Sequence, residues 1–170
     1  MLSFDIRSLE AHAAVVDEVL SADDPVWEES DRKPVDGMRV SGRVSSAGQS
    51  RFYWHGHLRG DVVLECSRCL VDARAHVDDE AHIIFAEQGS EDADDPDVYV
   101  YERTAADLDL RPALREQWLL AAPAYALCRP DCKGLCPRCG ADLNAGPHEC
   151  AEQANDPRWD ALKKLNLSSR

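Results

Sequence analysis

A chain of 170 residues with 44 % apolar content can bury one modest core and carry a small appendage. Its formal charge of −13 argues against gripping nucleic acid over its whole surface, because phosphate contacts need clustered Lys and Arg. No apolar run approaches the roughly eighteen residues that a membrane-spanning helix needs, and Met1-Leu2-Ser3-Phe4 leads straight into charged sequence, so a soluble cytoplasmic protein in a reducing compartment is expected.

In chain order, Phe4-Asp5-Ile6 reads as a short extended stretch, and Leu9, Ala13, Val16 and Leu20 follow at roughly helical spacing. Residues 21–36, rich in acids and broken by Pro25 and Pro34, read as an exposed loop that Trp27 pins down. From Met38 the period changes to two. Met38, Val40 and Val44 share one face, a turn falls at residues 47–50, and Leu58, Val62 and Leu64 alternate in a second strand from Phe52. A third alternation runs through Val71, Ala73, Val77, Ile83 and Phe85, which makes an antiparallel meander with one buried face. Residues 87–97 carry six acids with Gly89 and Pro96 and read as a mobile loop, and residues 98–101 as another strand. Asp109 is expected to cap a helix with Pro112 in its first turn, which places Leu110, Leu114 and Trp118 on one face and ends before Pro123. Asp156-Pro157 opens a terminal helix through Trp159, Leu162 and Leu165.

Five of the seven cysteines fall within residues 128–150, in the pattern C-x3-C-K-G-L-C-P-R-C-G-A-D-L-N-A-G-P-H-E-C. Cys136 and Cys139 form a tight C-P-x-C-G turn in which two thiolates meet one tetrahedral metal, with Gly140 free to take positive φ. A single structural zinc held by Cys132, Cys136, Cys139 and Cys150 is the expectation, with Cys128 and His148 as further candidate ligands. The alternative has two metals. Cys66 and Cys69, in a C-x2-C pair at a strand corner, close one shell with Cys128 and Cys132, leaving Cys136, Cys139, His148 and Cys150 for the second. A disulfide framework fits poorly with an odd cysteine count and a reducing compartment. No thioredoxin-like unit surrounds Cys136 to favour redox chemistry, and His55 and His57 read as an exposed strand face. No Walker loop, Rossmann glycine pattern, G-x-S-x-G elbow or H-E-x-x-H helix is present, so a non-enzymatic protein with no small-molecule substrate is expected.

The charge is unevenly placed. Residues 1–125 hold 12 basic and 26 acidic side chains, net −14, while residues 126–170 hold 7 and 6, net +1, so only the cysteine-rich tail approaches RNA without large repulsion. Arg129, Lys133 and Arg138 surround the expected metal and are candidate phosphate contacts, extended by Arg158, Lys163 and Lys164; they serve equally well to offset thiolate charge.

The C-S-R-C-L element at residues 66–70 and the run L-C-x3-C-K-G-L-C-P-x-C-G-x-x-L-N at residues 127–144, followed by D-P-R-W and A-L-K-K-L, closely resemble the YceD family of bacteria and plastids, from Val40 to the end. Many relatives close the cluster with C-x-C, where this chain has His148-Glu149-Cys150. The resemblance implies a non-enzymatic factor in large ribosomal subunit biogenesis, supporting accumulation or processing of 23S ribosomal RNA, with that RNA or a pre-50S particle as partner. An acidic adaptor that binds a basic ribosomal protein before assembly is the alternative. The expected architecture is α+β: an antiparallel sheet covered by helices over residues 1–125, and a zinc-binding module over residues 126–170.

Overall fold

The period-two alternation from Met38 onward becomes the centre of a five-stranded sheet. In the computed structural model, which describes residues 2–150, the elements are β1 (Ser3–Asp5), α1 (Ile6–Ala11), β2 (Ala14–Leu20), β3 (Met38–Gly48), β4 (Arg51–Glu65), β5 (Asp72–Glu87), β6 (Val98–Tyr101), β7 (Asp107–Asp109) and α2 (Arg111–Ala121). The sheet runs β2-β3-β4-β5-β6, antiparallel throughout except for the parallel β5–β6 pair, and β1 pairs with β7 in a separate two-stranded ribbon. The expected meander is therefore present as β3-β4-β5 and gains a strand on each edge. The terminal helix expected from Asp156-Pro157 lies outside the described residues.

Residues 14–20 are a correction. Their helical reading comes from the spacing of Leu9, Ala13, Val16 and Leu20, of which only Leu9 lies in a helix, α1; the separation of four between Val16 and Leu20 satisfies a period of two as well as one of 3.6. In β2 these two side chains are buried while Val15 and Val19 face outward, and the strand pairs with β3 from Ala14↔Val44 to Leu20↔Met38. The β-branched residues Val15, Val16 and Val19 favour that outcome. A smaller correction concerns α2, whose N-cap position is Leu110 rather than Asp109. Asp109 still serves the helix start, because its Oδ1 accepts the Arg111 amide at 3.0 Å. The acidic stretch after β5 contains a 3-10 turn at Glu91–Asp94, held to the sheet by Arg51 Nη1 at 3.2 Å from Asp92 Oδ2.

One face of the sheet carries the core: Phe52, Trp54, Leu58 and Val62 from β4, with Val77, Ala81, Ile83 and Phe85 from β5. Leu110, Leu114 and Trp118 of the α2 segment cover it, as their spacing predicts. Loop 21–36 is folded down by specific contacts. Trp27 is buried and donates its indole N–H to Ser21 O at 2.8 Å, while Trp118 donates to Arg32 O at 2.8 Å.

Arg115 grips Asp31 through two bonds of 2.6 and 2.9 Å, and the hydrogen bond from that guanidinium holds the Asp31 carboxyl below its ordinary pKa. A carboxyl depressed in the folded state contributes stability above its unfolded pKa, near 4, and loses it as pH falls through the folded value. Asp31→Asn is therefore expected to lower the urea midpoint at pH 7, with the gap to wild type closing as pH drops below about 4. Denaturation series at both pH values check this.

Candidate metal centres

Residues 66–69 follow β4 and turn the chain towards β5. The turn is closed by Cys66 N–H donating to Val71 O at 2.8 Å and Leu70 N–H donating to Cys66 O at 2.9 Å, with Leu70 at φ 63°. The chain after α2 returns to this corner. Ser67 N–H donates to Ala126 O at 2.9 Å, Arg68 Nη1 donates to Cys132 O at 2.8 Å, and Leu135 N–H donates to Arg68 O at 3.0 Å. Gly134 permits the approach: its φ is 77°, and a Cβ there would stand 2.9 Å from Arg68 O. Gly134→Ala is expected to cost about 1–2 kcal/mol from the left-handed backbone alone. Hydrogen exchange at the Leu135 amide should accelerate accordingly.

This return path brings Cys66, Cys69, Cys128 and Cys132 together, every ligand atom within 4.8 Å of the others. Cys66 Sγ is 3.9 Å from Cys132 Sγ, and Cys69 Sγ is 3.6 Å from Cys128 Sγ. A second group joins Cys136, Cys139, His148 and Cys150 within the same limit, with Cys136 Sγ 3.7 Å from Cys150 Sγ and Cys139 Sγ 3.1 Å from His148 Nε2. The knuckle expected at Cys136 is formed by Cys136 N–H donating to Ala141 O at 2.8 Å and Gly140 N–H donating to Cys136 O at 2.9 Å, with Gly140 at φ 75°. The four-ligand set of Cys132 with Cys136, Cys139 and Cys150 is not assembled. Cys132 faces the β4–β5 corner instead, because the Arg68 bonds draw residues 132–135 onto that turn.

All seven cysteines are free thiols. Zinc with Zn–S bonds near 2.3 Å places tetrahedral sulfurs about 3.8 Å apart, and the sulfur separations of 3.6–3.9 Å match that edge. Four sulfurs in one group, and three sulfurs with one imidazole in the other, are donor sets suited to a tetrahedral borderline metal.

Electrostatics point the same way. The Cys128 N–H, then those of Arg68 and Cys69, pull Cys66 down to about 6, and the Arg138 and Cys139 N–H groups do the same for Cys136. Cys128 is pushed up to about 12 by its hydrogen bond with Cys69 and by burial, and Cys150 to about 11 by burial and by Cys136. Cys69 also rises: the Val71 N–H favours its thiolate, but burial and the Cys66 and Cys132 sulfurs outweigh it. Cys66 thus lies ready to ionise beside Cys69 and Cys128, which resist, and Cys136 beside Cys150, an opposition that a bound dication removes.

Asn144 is a site residue that the motif reading left without a role. Its Oδ1 accepts from Lys133 N–H and Arg129 Nη2, each at 2.8 Å, and its Nδ2 lies 3.7 Å from Cys132 Sγ, so it ties the turn at residues 142–144 to the first group. Only its place in the L-N ending of the motif hinted at this. Arg129 is consequently engaged, whereas the exposed Lys133 and Arg138 side chains have no partner among the described residues. Arg158, Lys163 and Lys164 lie outside the described residues.

The family model described as "Large ribosomal RNA subunit accumulation protein YceD" matches residues 54–166. An uncharacterized protein of Mycobacterium tuberculosis is 35 % identical over 119 residues, which cover 65 % of this chain and 53 % of that protein. The uncharacterized protein YlbN of Bacillus subtilis is 26 % identical over 163 residues, 95 % of this chain and 93 % of its own. The chloroplastic YCED homolog 1 of Zea mays, a large ribosomal RNA subunit accumulation protein, is 34 % identical over 64 residues, 38 % of this chain and 22 % of its own. The chain spans about half the length of the mycobacterial relatives it matches. No solved structure matches it.

Proposed function

Because the chain belongs to the YceD family, we propose that it is a non-enzymatic factor that supports accumulation of large-subunit (23S) ribosomal RNA, working in the cytoplasm on that RNA or on a pre-50S particle. The observation that carries this reading is the family match over residues 54–166, which takes in both cysteine groups. Among the described residues no helix is long and apolar enough to cross a membrane, which fits a factor acting on ribosomal precursors.

The metal in this proposal is zinc, two ions per chain, with a structural role. Cys66, Cys69, Cys128 and Cys132 would hold one, stapling residues 126–135 to the β4–β5 corner; Cys136, Cys139, His148 and Cys150 would hold the other. Zinc supplies folding free energy to a segment too short to build its own core. The chain supplies the rest: amide donors that favour the Cys66 and Cys136 thiolates, Gly134 for close approach, and Asn144 as a brace between the groups. Residues 126–138 present Lys133 and Arg138 to solvent within the least acidic stretch of the chain, a surface suited to phosphate.

Depleting the protein is expected to lower mature 23S relative to 16S ribosomal RNA, and unchanged ribosomal profiles would refute the proposal. The double variant Lys133→Glu, Arg138→Glu is expected to keep its zinc yet rescue depleted cells only in part, since reversal adds repulsion where attraction stood. Full rescue by that variant would exclude RNA contact through this surface and favour capture of a basic ribosomal protein by the acidic sheet domain.

A further inference from the structure

The solvent-facing side of the sheet carries a second kind of ligand chemistry. His55 on β4 stands directly opposite His82 on β5, and Glu80, two residues before His82, projects from the same face of β5. One ligand atom from each of these three exposed side chains lies within 4.8 Å of the other two. The His55 and His82 rings stack with centroids 4.4 Å apart and planes 15° from parallel, and Tyr53 extends the stack, 12° from His55 and 27° from His82. His55 Nε2 lies 2.7 Å from Glu80 Oε1, and the Tyr53 hydroxyl bonds His82 Nδ1. That bond leaves Nε2 as the remaining nitrogen of His82 and fixes its ring, the service that outer hydrogen bonds perform for metal-ligating imidazoles.

We propose that His55, Glu80 and His82 form a third cation site, open to solvent and selective for a borderline divalent metal such as zinc, held more loosely than the thiolate groups and oriented by Tyr53. Two imidazoles and a carboxylate are a zinc donor set that leaves a coordination position for water or an outside ligand. A cation would take the place of the hydrogen bond between His55 and Glu80, spreading these atoms from 2.7 Å to about 3.4 Å, and would swing the His55 ring out of its stack with His82 so that the two in-plane lone pairs converge, a movement that exposed side chains can make. The same face supplies its own control. His76 Nδ1 meets Asp61 Oδ1 at 2.7 Å with no second imidazole in its group, so a lone histidine–carboxylate pair can be compared with the full set in one molecule.

Zinc titrated into the metal-loaded full chain, with histidine ring signals followed by NMR, tests the proposal. His55 and His82 should shift together and saturate, with His76 unmoved. His82→Gln, and independently His55→Gln, should weaken the apparent Kd at least tenfold. Tyr53→Phe, which keeps all three ligands, should weaken it about 10–100-fold, as loss of an orienting partner does. Absence of a saturable shift, equal response at His76, or unchanged affinity in both histidine variants would overturn the site.

Discussion

Replacing Cys66 by serine is expected to remove one of the two proposed zinc ions and to free residues 126–135 from the β4–β5 corner. Cys66 is fully buried, three backbone N–H groups favour its thiolate, and its Sγ lies 3.9 Å from Cys132 Sγ. A serine oxygen is a poor zinc ligand beside three thiolates, and structural zinc contributes on the order of 10–16 kcal/mol of apparent binding free energy in small peptides. Part of that free energy holds the Ala126 and Arg68 contacts, so the Ser67 and Leu135 amides should lose protection while the centre of β3-β4-β5 keeps it. Cys139→Ser should instead unfold residues 136–150 alone, because Cys139 belongs to the other group. Native mass spectrometry with hydrogen exchange reads both effects. A Cys66→Ser protein that retained two metals would contradict this assignment of ligands.

The second large effect is expected at Trp118. Its side chain is fully buried, its ring packs over Gly60, where a Cβ would lie 3.1 Å from Cη2, and its indole N–H holds Arg32 O at 2.8 Å. Trp118→Ala thus removes a large apolar surface, leaves a cavity between α2 and β4, and frees the loop carrying Asp31. Truncations of this kind cost about 3–5 kcal/mol, a large share of the roughly 5–15 kcal/mol that holds a domain together. Urea unfolding of the zinc-loaded protein should show a lower midpoint. A shift of less than about 1 kcal/mol would mean that α2 is not what closes the core.

The central strands were legible because burial of one face forces strict alternation: Phe52, Trp54, Leu58 and Val62 are buried as their spacing requires. Residues 14–20 were not, since Val16 and Leu20 fit either period and the outcome depended on an open edge of β3 accepting them. Nor could local pattern reveal that β6 runs parallel to β5, or that residues 107–109 pair with residues 3–5, because both depend on distant partners. The cysteines show the same division. The Cys136 knuckle follows from its own turn residues, but Cys132 is near Cys136 in sequence and beside Cys66 in space. What separates them is the return of residues 126–135 to the hairpin corner, made by the guanidinium and carbonyl of Arg68 and by the close approach at Gly134, which no ligand spacing encodes. Asn144 escaped notice for a related reason: it acts through amide bonds to two segments rather than as a ligand.

The two groups of four ligands are proposed as separate metal shells, where sequence spacing alone favours one. Elemental analysis of the full chain, purified under reducing conditions and dialysed against zinc-free buffer, tests this most directly. Two zinc ions per chain are predicted, one for each group of four ligands. A single retained zinc, or none, would contradict it.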